Sequence, residues 1–367
     1  MEGLKVPAQA PQSRSAPDTG EETTNASSPT ENQTFTALMQ RLSRAGFRKE
    51  FVSRAILPDW WDERCSEDPN LLQDIEIRIA RFLGFSVTVL RDPSVALAAP
   101  SYTGAQLRRV RDVNPDRLAP AIHTAIRVIS AVVRNLRATV PSPAVLPTDG
   151  LRWREQIDST HTTPTLKDIV GDLWRRGIQV VPLDVLPTPS FQGLACIVED
   201  RPVILVGYKH DEPGRVAFLV AHEAGHVARG DCAPDQPVID EEDEITDDAD
   251  IERRADLYAT QVLVGDSSVP QVDGVSLEDF KQLAHRASDL EHTTGADASS
   301  VIFSWARRTG DYATATMAVK ALYRSTGARR QLRQLFDLHV DLATAAETDR
   351  ALLRCVHGEL AFDEAAG

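Results

Sequence analysis

The stretch His222-Glu223-Ala224-Gly225-His226 follows directly on an apolar run that begins at Val216, and it has the form HExxH. Residues four apart lie on one face of an α-helix, so both imidazoles can reach a single metal ion. On the same helix, Glu223 projects beside that ion, toward a water molecule. The stretch therefore predicts a helix that carries two metal ligands and a catalytic carboxylate.

The spacing suits the chemistry of zinc. A catalytic zinc ion takes three protein ligands and keeps a fourth position for water, whose pKa falls to about 7 in the best-studied sites. Glu223 is placed to accept a proton from water that attacks a peptide carbonyl, and to pass it to the leaving amine. Two core histidines that meet by accident would have the same spacing, and HExxH arises by chance in roughly one or two chains per hundred of this length. A third ligand is therefore needed.

A second segment offers that ligand. Glu252 and Asp256 stand one helical turn apart, and the small residues Ala255 and Ala259 repeat at the same spacing. We predict that Glu252 completes the ligands of a Zn²⁺ ion, while Asp256 hydrogen-bonds the outer nitrogen of a zinc-bound histidine. The two alanines would let this helix approach the first one closely. A solvated helix carboxylate is the alternative for Glu252.

Cys232 is the rival third ligand. It stands ten residues after His222, where another branch of zinc peptidases has a third histidine in the pattern HExxHxxGxxH. That branch also needs a glycine where this chain has Arg229, and a cysteine supplies sulfur instead of nitrogen. We therefore predict Glu252, and not Cys232, as the third ligand.

These motifs resemble the ImmA/IrrE family of zinc metallopeptidases. The resemblance covers residues 165–270, and it is carried by the strand-like segment at 202–207, the approach at 214–218, HEAGH and the later pattern ExxAxxYA at 252–259. It implies His222, His226 and Glu252 as zinc ligands, in the manner of a gluzincin, and Glu223 as the catalytic acid/base.

The same resemblance implies a fold and an activity. Members of the family have a small antiparallel sheet packed on helices, and they cleave helix-turn-helix repressors or antitoxin-like partners, which derepresses genes. One residue departs from the family pattern: Tyr258 stands where phenylalanine is more frequent. Its hydroxyl would need a hydrogen-bond partner if the ring is buried.

Composition favours a soluble cytoplasmic protein. The 367 residues are 42% hydrophobic but contain no apolar run long enough to span a membrane. The start of the chain lacks the apolar region of a secretory signal. The four cysteines are widely scattered and form no CxxC pair, which argues against a disulfide framework or a zinc ribbon.

Charge is unevenly spread along the chain. The formal net charge is −14, yet residues 34–150 hold 16 basic and 12 acidic side chains. Residues 231–250, between the second histidine and Glu252, hold ten acidic side chains and no basic one. This acidic segment is either a solvated loop or a border of the active site that attracts a basic partner.

Composition and turn signals divide the chain into five parts. The first is rich in Pro, Ser, Thr and Asn and has few large apolar residues, which is typical of disorder. The predicted parts are a disordered leader at 1–33, a helix-turn-helix-like module at 34–100, a helix with a Pro-rich linker at 101–150, a peptidase domain at 151–272 and a helical extension at 273–367.

The module at 34–100 resembles the helix-turn-helix of phage repressors. Apolar residues at helical spacing predict one helix at 35–42 and another at 72–84, which ends at a glycine. A longer helix is predicted over 104–138, where Ile122, Ile129 and their neighbours form an apolar side among arginines.

The segment at 48–54 would precede or form the recognition helix of that module. In this interpretation Arg48, Lys49 and Arg54 would contact phosphates or base edges of DNA. The alternative is a helical docking module without DNA contact, since acidic residues at 59–63 interrupt the basic face.

The peptidase domain is predicted to contain three short strands, at 178–183, 193–198 and 202–207, with the last two in a hairpin. An exposed sheet edge beside the metal helix would let an extended substrate add as a further strand. The predicted fold class is α+β: a mostly helical chain whose central zincin-like domain has a small antiparallel sheet, the HExxH helix and the third-ligand helix.

The chain after residue 276 is predicted to be helical. Residues 305–315 have the pattern of a helix, a tight turn and a second helix, similar to a tetratricopeptide-type pair. No period repeats clearly enough for a solenoid. We interpret this extension as a partner-binding or dimerisation element, so a homo-oligomer is an option.

Two hypotheses of function follow. The leading one is a zinc-dependent endopeptidase that cleaves a specific regulatory protein, a helix-turn-helix repressor or an antitoxin, in a gene-regulatory, stress or phage-related response. The alternative is a DNA-binding transcriptional regulator in which zinc is structural or sensory and no peptide is cut. Glu223 separates them, because only the peptidase needs its proton transfer.

Overall fold

The computed structural model describes residues 34–100, 106–108, 115–157, 164–207, 211–232, 238–240, 249–265, 279–294, 297–322 and 327–357. The predicted leader at 1–33 lies outside the described residues. Helices predominate in the described ranges, and the strands there join in one mixed sheet, so the predicted class, α+β, is confirmed.

Helices cover most of the described chain. They are α1 (Phe35–Arg44), α2 (Lys49–Ala55), α3 (Pro69–Leu83), α4 (Val87–Arg91), α5 (Pro115–Arg134), α6 (Gly150–Gln156), α7 (Leu166–Arg175), α8 (Pro213–Arg229), α9 (Ala249–Leu263), α10 (Phe280–Thr294), α11 (Ala298–Thr309), α12 (Tyr312–Leu322), α13 (Ala328–His339) and α14 (Glu347–His357). A 3-10 helix covers Glu63–Glu67. The strands are β1 (Gln106–Arg108), β2 (Gln179–Leu183), β3 (Gly193–Val198), β4 (Arg201–Gly207) and β5 (Val238–Asp240).

The two helices predicted near the start of the chain are present as α1 and α3. The hydroxyl of Thr34 caps α1 by accepting a hydrogen bond from the backbone N–H of Ala37 at 3.2 Å. Asp68 caps α3 in a similar way, through the N–H of Asn70. Gly84 ends α3 with a φ of 73°, a left-handed backbone that glycine adopts without steric cost.

The long helix predicted over 104–138 is shorter in the structure. It is α5, whose predicted apolar side is buried: Ile122, Ile129 and Val132 are at most 3% exposed. Residues 106–108 form β1 instead, so the helix prediction is wrong there. The reason is long-range, because the backbone of these three residues pairs with β5.

The sheet has the strand order β1-β5-β3-β4-β2. β3 and β4 form the predicted hairpin, in which Val198 pairs with Arg201 and the turn residues Glu199 and Asp200 have positive φ. β2 pairs with β4 in parallel, so the predicted antiparallel sheet is wrong and the sheet is mixed. The cause is that β4 inserts between β2 and β3, which places β2 beside the returning strand of the hairpin.

Half of the second edge of β3 is covered by the chain itself. Residues 193–195 of β3 pair antiparallel with β5, and β5 pairs in parallel with β1. Residues 196–198 have no strand partner on that side among the described strands. The edge of β3 is therefore occupied only at residues 193–195.

The larger hydrophobic core of the described residues runs from Phe35 to Val356. It joins the N-terminal helices, the sheet, α7 to α9 and the last two helices. α13 packs on α7 and β2, while α14 packs on α3 and α5. This core therefore crosses the boundaries predicted at residues 150 and 272.

α10, α11 and α12 form a smaller core of their own. The predicted helix, tight turn and helix at 305–315 correspond to α11, the turn at Gly310 and α12. α11 packs against α8, so this three-helix unit touches the HExxH helix directly. Within the described part of the chain, no helix combines the length and the apolar character that a membrane crossing requires.

Candidate metal centre

α8 carries the HExxH stretch in its second half. Pro213 occupies its first turn, where a missing N–H is tolerated, and Gly230 ends it with a φ of 71°. Between these ends, α8 packs on β3, β4 and α7. His222, Glu223 and His226 are each 0% exposed, so α8 places all three side chains inside the protein.

α9 packs closely along α8 and brings Glu252 to the histidines. A Cβ atom on Gly225 would lie only 3.2 Å from Cα of Ala255, and both Ala255 and Ala259 are fully buried. Small residues at these positions let the two helix backbones approach. Glu252, at 2% exposure, therefore lies in the interface between α8 and α9.

The structure brings His222, His226 and Glu252 together. Nε2 of His222 lies 3.2 Å from Nε2 of His226 and 3.2 Å from Oε2 of Glu252. Nε2 of His226 lies 3.6 Å from Oε1 of the same carboxylate. Zinc bonds of about 2.0–2.1 Å in a tetrahedron separate neighbouring ligand atoms by about 3.3 Å. The two distances to Glu252 involve its two different oxygens, and one ligand atom from each of the three residues lies within 4.8 Å of the others, close enough for one metal ion to be held between them.

Each histidine has a carboxylate on its outer nitrogen. Nδ1 of His222 donates to Oδ1 of Asp256 at 2.8 Å, the partner expected from the sequence. Nδ1 of His226 donates to Oδ2 of Asp231 at 3.0 Å. Sequence reasoning missed Asp231, which it treated as one more charge of the acidic segment. The available signal was its place directly after Gly230, where the chain turns back toward α8.

These outer hydrogen bonds decide which ring nitrogen carries the proton. A carboxylate accepts, so the hydrogen is on Nδ1, and Nε2 of each neutral ring presents its lone pair. The two lone pairs and the carboxylate of Glu252 then face one another at 3.2 to 3.6 Å. Such a convergence of electron pairs is unfavourable by itself and suits a cation held between them.

The charge state of His226 agrees with this arrangement. Burial lowers the pKa of His226 from its ordinary value of 6.5, and it outweighs the opposing hydrogen bond to Asp231. The ring is therefore neutral near pH 7, which is the form that binds a metal.

Glu223 lies against the first residue of β3. A Cβ atom on Gly193 would lie 2.1 Å from Oε1 of Glu223 and 2.8 Å from Cδ1 of Leu219, so no other residue fits there without displacing the carboxylate. Sequence reasoning did not single out Gly193. Its role depends on the distance between sheet and helix, which no local pattern encodes.

Two cysteines lie near the centre. Burial raises the pKa of the Cys196 thiol far above its usual range, and the charge of Glu223 raises it further. Cys232, the rival third ligand, is 6% exposed and packs with Ala195 and Val227. Among the described residues, the group of side chains spaced to hold a metal contains Glu252 and not Cys232.

Tyr258 has the partner that its burial requires. Its hydroxyl donates to the backbone oxygen of Pro147 at 2.9 Å, and its ring stacks on Trp153 with a centroid distance of 5.7 Å. Burial also raises the pKa of this hydroxyl well above its usual range. Tyr258 therefore links α9 to the segment before α6.

The three cations predicted to contact DNA lie on or next to α2. Lys49 forms an ion pair with Glu63, and Nη2 of Arg54 lies 3.1 Å from Oδ2 of Asp184. Arg48 precedes the helix as its N-cap. Two of the three charges are thus already directed at carboxylates of the same chain, and DNA contact stays a prediction.

No protein-family model matches the chain, and a search of curated proteins found no match. The resemblance to the ImmA/IrrE peptidases therefore stays a prediction, carried by residues 222–226 and 252–259. The geometry of the centre supports a function independently of that resemblance.

Proposed function

We propose that the protein is a zinc-dependent endopeptidase. The single observation that supports this proposal is the convergence of ligand atoms from three buried residues, His222, His226 and Glu252, within 4.8 Å of one another. A buried carboxylate, Glu223, lies on the same helix as the two histidines. Three protein ligands and one acid/base group are the set that catalytic zinc sites use.

Each residue has a task in the proposed reaction. Zinc, when bound, supplies the Lewis acidity that polarises a peptide carbonyl and activates water. Glu223 accepts a proton from the attacking water and delivers it to the leaving amine. Asp231 and Asp256 hold the two imidazoles in the tautomer that points Nε2 inward. Because the group is buried, its charges act in a medium of low dielectric constant.

We propose a regulatory protein as the substrate, because the motifs resemble peptidases that cleave helix-turn-helix repressors or antitoxins. We place the activity in the cytoplasm, and the four free thiols at Cys65, Cys196, Cys232 and Cys355 support a reducing compartment. The three-helix unit of α10 to α12 touches α8 and is the candidate surface for a partner or a second copy.

Glu223→Gln tests the peptidase. We expect loss of casein cleavage, with the zinc content unchanged, because the ligands remain. Glu155→Gln, an exposed carboxylate on α6, is the matched control and should retain full activity. Cleavage that continues in Glu223→Gln would refute Glu223 as the acid/base of this protein. Absence of cleavage by the wild type would favour the alternative, a structural or sensory zinc site in a DNA-binding regulator.

His226→Ala tests the ligand set by metal analysis of the purified protein. Loss of one of three ligands should abolish stoichiometric zinc. His285→Ala, at a histidine whose side chain is 79% exposed on α10, should keep one zinc per chain. A full zinc content in His226→Ala would show that the metal lies elsewhere.

A further inference from the structure

The edge of β3 beside Glu223 is occupied by a segment of the same chain. β5 pairs antiparallel with the first half of β3, in the register Gly193 to Asp240, Leu194 to Ile239 and Ala195 to Val238. The sequence predicts that an extended substrate would add at a sheet edge beside the HExxH helix, and α8 packs on β3. Residues 193–195 of this edge of β3 are already paired.

The edge of β3 that β5 occupies lies next to Glu223, the proposed catalytic carboxylate. Gly193 is the residue of β3 whose added Cβ would meet Oε1 of Glu223 at 2.1 Å. Asp240 pairs with that residue, so the end of β5 lies beside the part of the sheet that touches Glu223. A substrate backbone that adds to β3 as a strand must occupy the same row of hydrogen-bonding groups.

The two edges of β3 are unequal. β4 pairs with all six residues of β3, from Gly193 to Val198, and forms a hairpin with it. β5 pairs with three residues and joins β3 through no tight turn. The bonds to β5 are therefore the ones that β3 can exchange for bonds to another chain.

β5 is also separable from the proposed zinc ligands. It lies in the connection between α8 and α9, within the acidic segment 231–250. The contact of Gly225 with Ala255 and Tyr258 holds α8 and α9 together directly. Movement of β5 off β3 therefore does not require α8 and α9 to separate.

β1 is the edge strand of the sheet and pairs with β5 on the side away from β3. Its residues pair in parallel with β5, in the register Gln106 to Val238, Leu107 to Ile239 and Arg108 to Asp240. β5 thus has a strand on each side, and the segment that precedes α5 helps to hold it on β3.

We propose that β5 is an autoinhibitory strand that occupies the substrate position on β3. A substrate must displace β5 from Gly193, Leu194 and Ala195 before its own backbone can reach Glu223. This inference rests on the proposed peptidase function and adds its regulation: the resting enzyme is blocked by its own connection between α8 and α9.

The test is a variant with Val238→Gly, Ile239→Gly and Asp240→Gly, because glycine weakens a strand. We expect cleavage of fluorescein-labelled casein, an unstructured protein with many extended segments, to rise about tenfold or more, as lost strand propensity adds over three residues. The matched control replaces Glu242, Asp243 and Glu244, which follow β5 in the acidic segment, with glycine. It should leave the rate of casein cleavage unchanged. An equal rise in the control would overturn the proposal, since it would not depend on β5.

A second variant replaces Gln106, Leu107 and Arg108 of β1 with glycine. It weakens the pairing of β1 with β5 and leaves the sequence of β5 unchanged. We expect a smaller rise in the cleavage rate, because β5 keeps its bonds to β3. Zinc content and the thermal unfolding midpoint of all variants are measured first. If both variants contain one zinc per chain and cleave casein no faster than the wild type, β5 does not inhibit.

Amide hydrogen exchange separates the two proposals. In a Glu223→Gln background, the amides of Gly193 and Ala195, which point toward β5, should exchange faster when β5 carries three glycines, and casein should slow them again. The amide of Leu194, which points toward β4, is the internal control and should not change. If exchange changes in this way while no form of the protein cleaves casein, β5 occupies a peptide-binding edge and the peptidase function is wrong. If the wild type cleaves casein and exchange at Gly193 and Ala195 is the same with and without the β5 glycines, the peptidase stands and the autoinhibitory strand is wrong.

Discussion

Gly193 determines how closely the sheet approaches Glu223, the proposed catalytic carboxylate. Gly193→Ala adds one methyl group at 2.1 Å from Oε1 of Glu223, so the carboxylate must move. We expect casein cleavage to fall about 100-fold, the usual cost of a displacement of this size at a catalytic group. Zinc content should be unchanged, because His222, His226 and Glu252 are untouched.

Gly171→Ala is the control for that substitution. Gly171 lies inside α7, and an added Cβ would meet nothing within 4 Å. Alanine should stabilise this helix by about 0.5–1 kcal/mol relative to glycine and leave activity as it was. A Gly193→Ala enzyme as active as Gly171→Ala would contradict the assigned position of Glu223.

The two outer carboxylates give a second prediction at this scale. Asp231→Asn and Asp256→Asn should each weaken zinc binding by about 10–100-fold, since each removes a charged acceptor from an imidazole Nδ1. Competition with a zinc chelator measures the affinity. Asp250→Asn is the control, because Asp250 is 85% exposed at its side chain and pairs with Arg253. Equal affinities in all three variants would show that the outer carboxylates do not support the ligands.

These residues differ in how far the sequence predicts them. The spacing of four in HExxH and in Glu252 and Asp256 follows from helical periodicity, so the pattern itself places these side chains on helix faces. Asp231 and Gly193 have no such period. One depends on a turn after Gly230, the other on the packing of a strand against a helix, and both are set by the assembled fold.

At the scale of elements, the contact between α8 and α9 holds the ligands together. Gly225→Val should push the helices apart, because even a Cβ would lie 3.2 Å from Cα of Ala255 and 3.3 Å from Cβ of Tyr258. We expect a loss of about 1–3 kcal/mol in the free energy of unfolding and a loss of zinc. Urea unfolding and metal analysis measure the two effects.

Gly225→Ala is the graded control for this contact. Alanine gains about 1 kcal/mol in helix propensity over glycine, which offsets the tighter contact with Ala255. Its stability should stay close to that of the wild type, and its zinc content should be complete. A valine variant as stable as the alanine variant would mean that α9 does not depend on a small residue here.

Secondary structure was predictable where it is local, and strand pairing was not. The hairpin of β3 and β4 was expected because its strands are adjacent in the chain and a short polar turn joins them. The parallel partner of β2 and the strand at 106–108 were missed. Both depend on segments that meet only after folding, and residues 106–108 pair with a strand about 130 residues later in the chain.

At the scale of the whole molecule, α14 is fastened to α5 by a charged contact. Nη2 of Arg134 lies 2.6 Å from Oδ1 of Asp349, and the side-chain amide of Asn135 donates to the same carboxylate at 2.9 Å. Burial alone would raise the pKa of Asp349, but these hydrogen bonds and the charge of Arg134 hold it below the ordinary value of 3.8.

This contact predicts a pH-dependent stability. Since the pKa of Asp349 is lowered in the folded state, its contribution is complete above pH 3.8 and is lost as pH falls through the folded value. Asp349→Asn should lower the free energy of unfolding by about 1–3 kcal/mol at neutral pH, measured by urea unfolding. The loss should become progressively smaller as the pH falls below 3.8. A difference between the two proteins that persists unchanged at low pH would argue against the ion pair with Arg134.

The modules predicted from composition were drawn at proline-rich and polar stretches. The larger core spans these modules, because it contains Phe35 of the first helix, Leu173 of α7 and Val356 of the last helix. Local composition reports where a chain turns, and it carries little information on which distant helices share a core. The larger core therefore includes residues on both sides of 150 and of 272.

The packing of α13 and α14 bears on how the protein is made. A growing polypeptide that has reached residue 265 already contains His222, His226 and Glu252, but not yet the helices that cover α7, β2 and α5. The larger core is complete only after residues 328–357 have been synthesised. Nascent chains that stop before residue 328 would therefore expose apolar surface to chaperones and proteases.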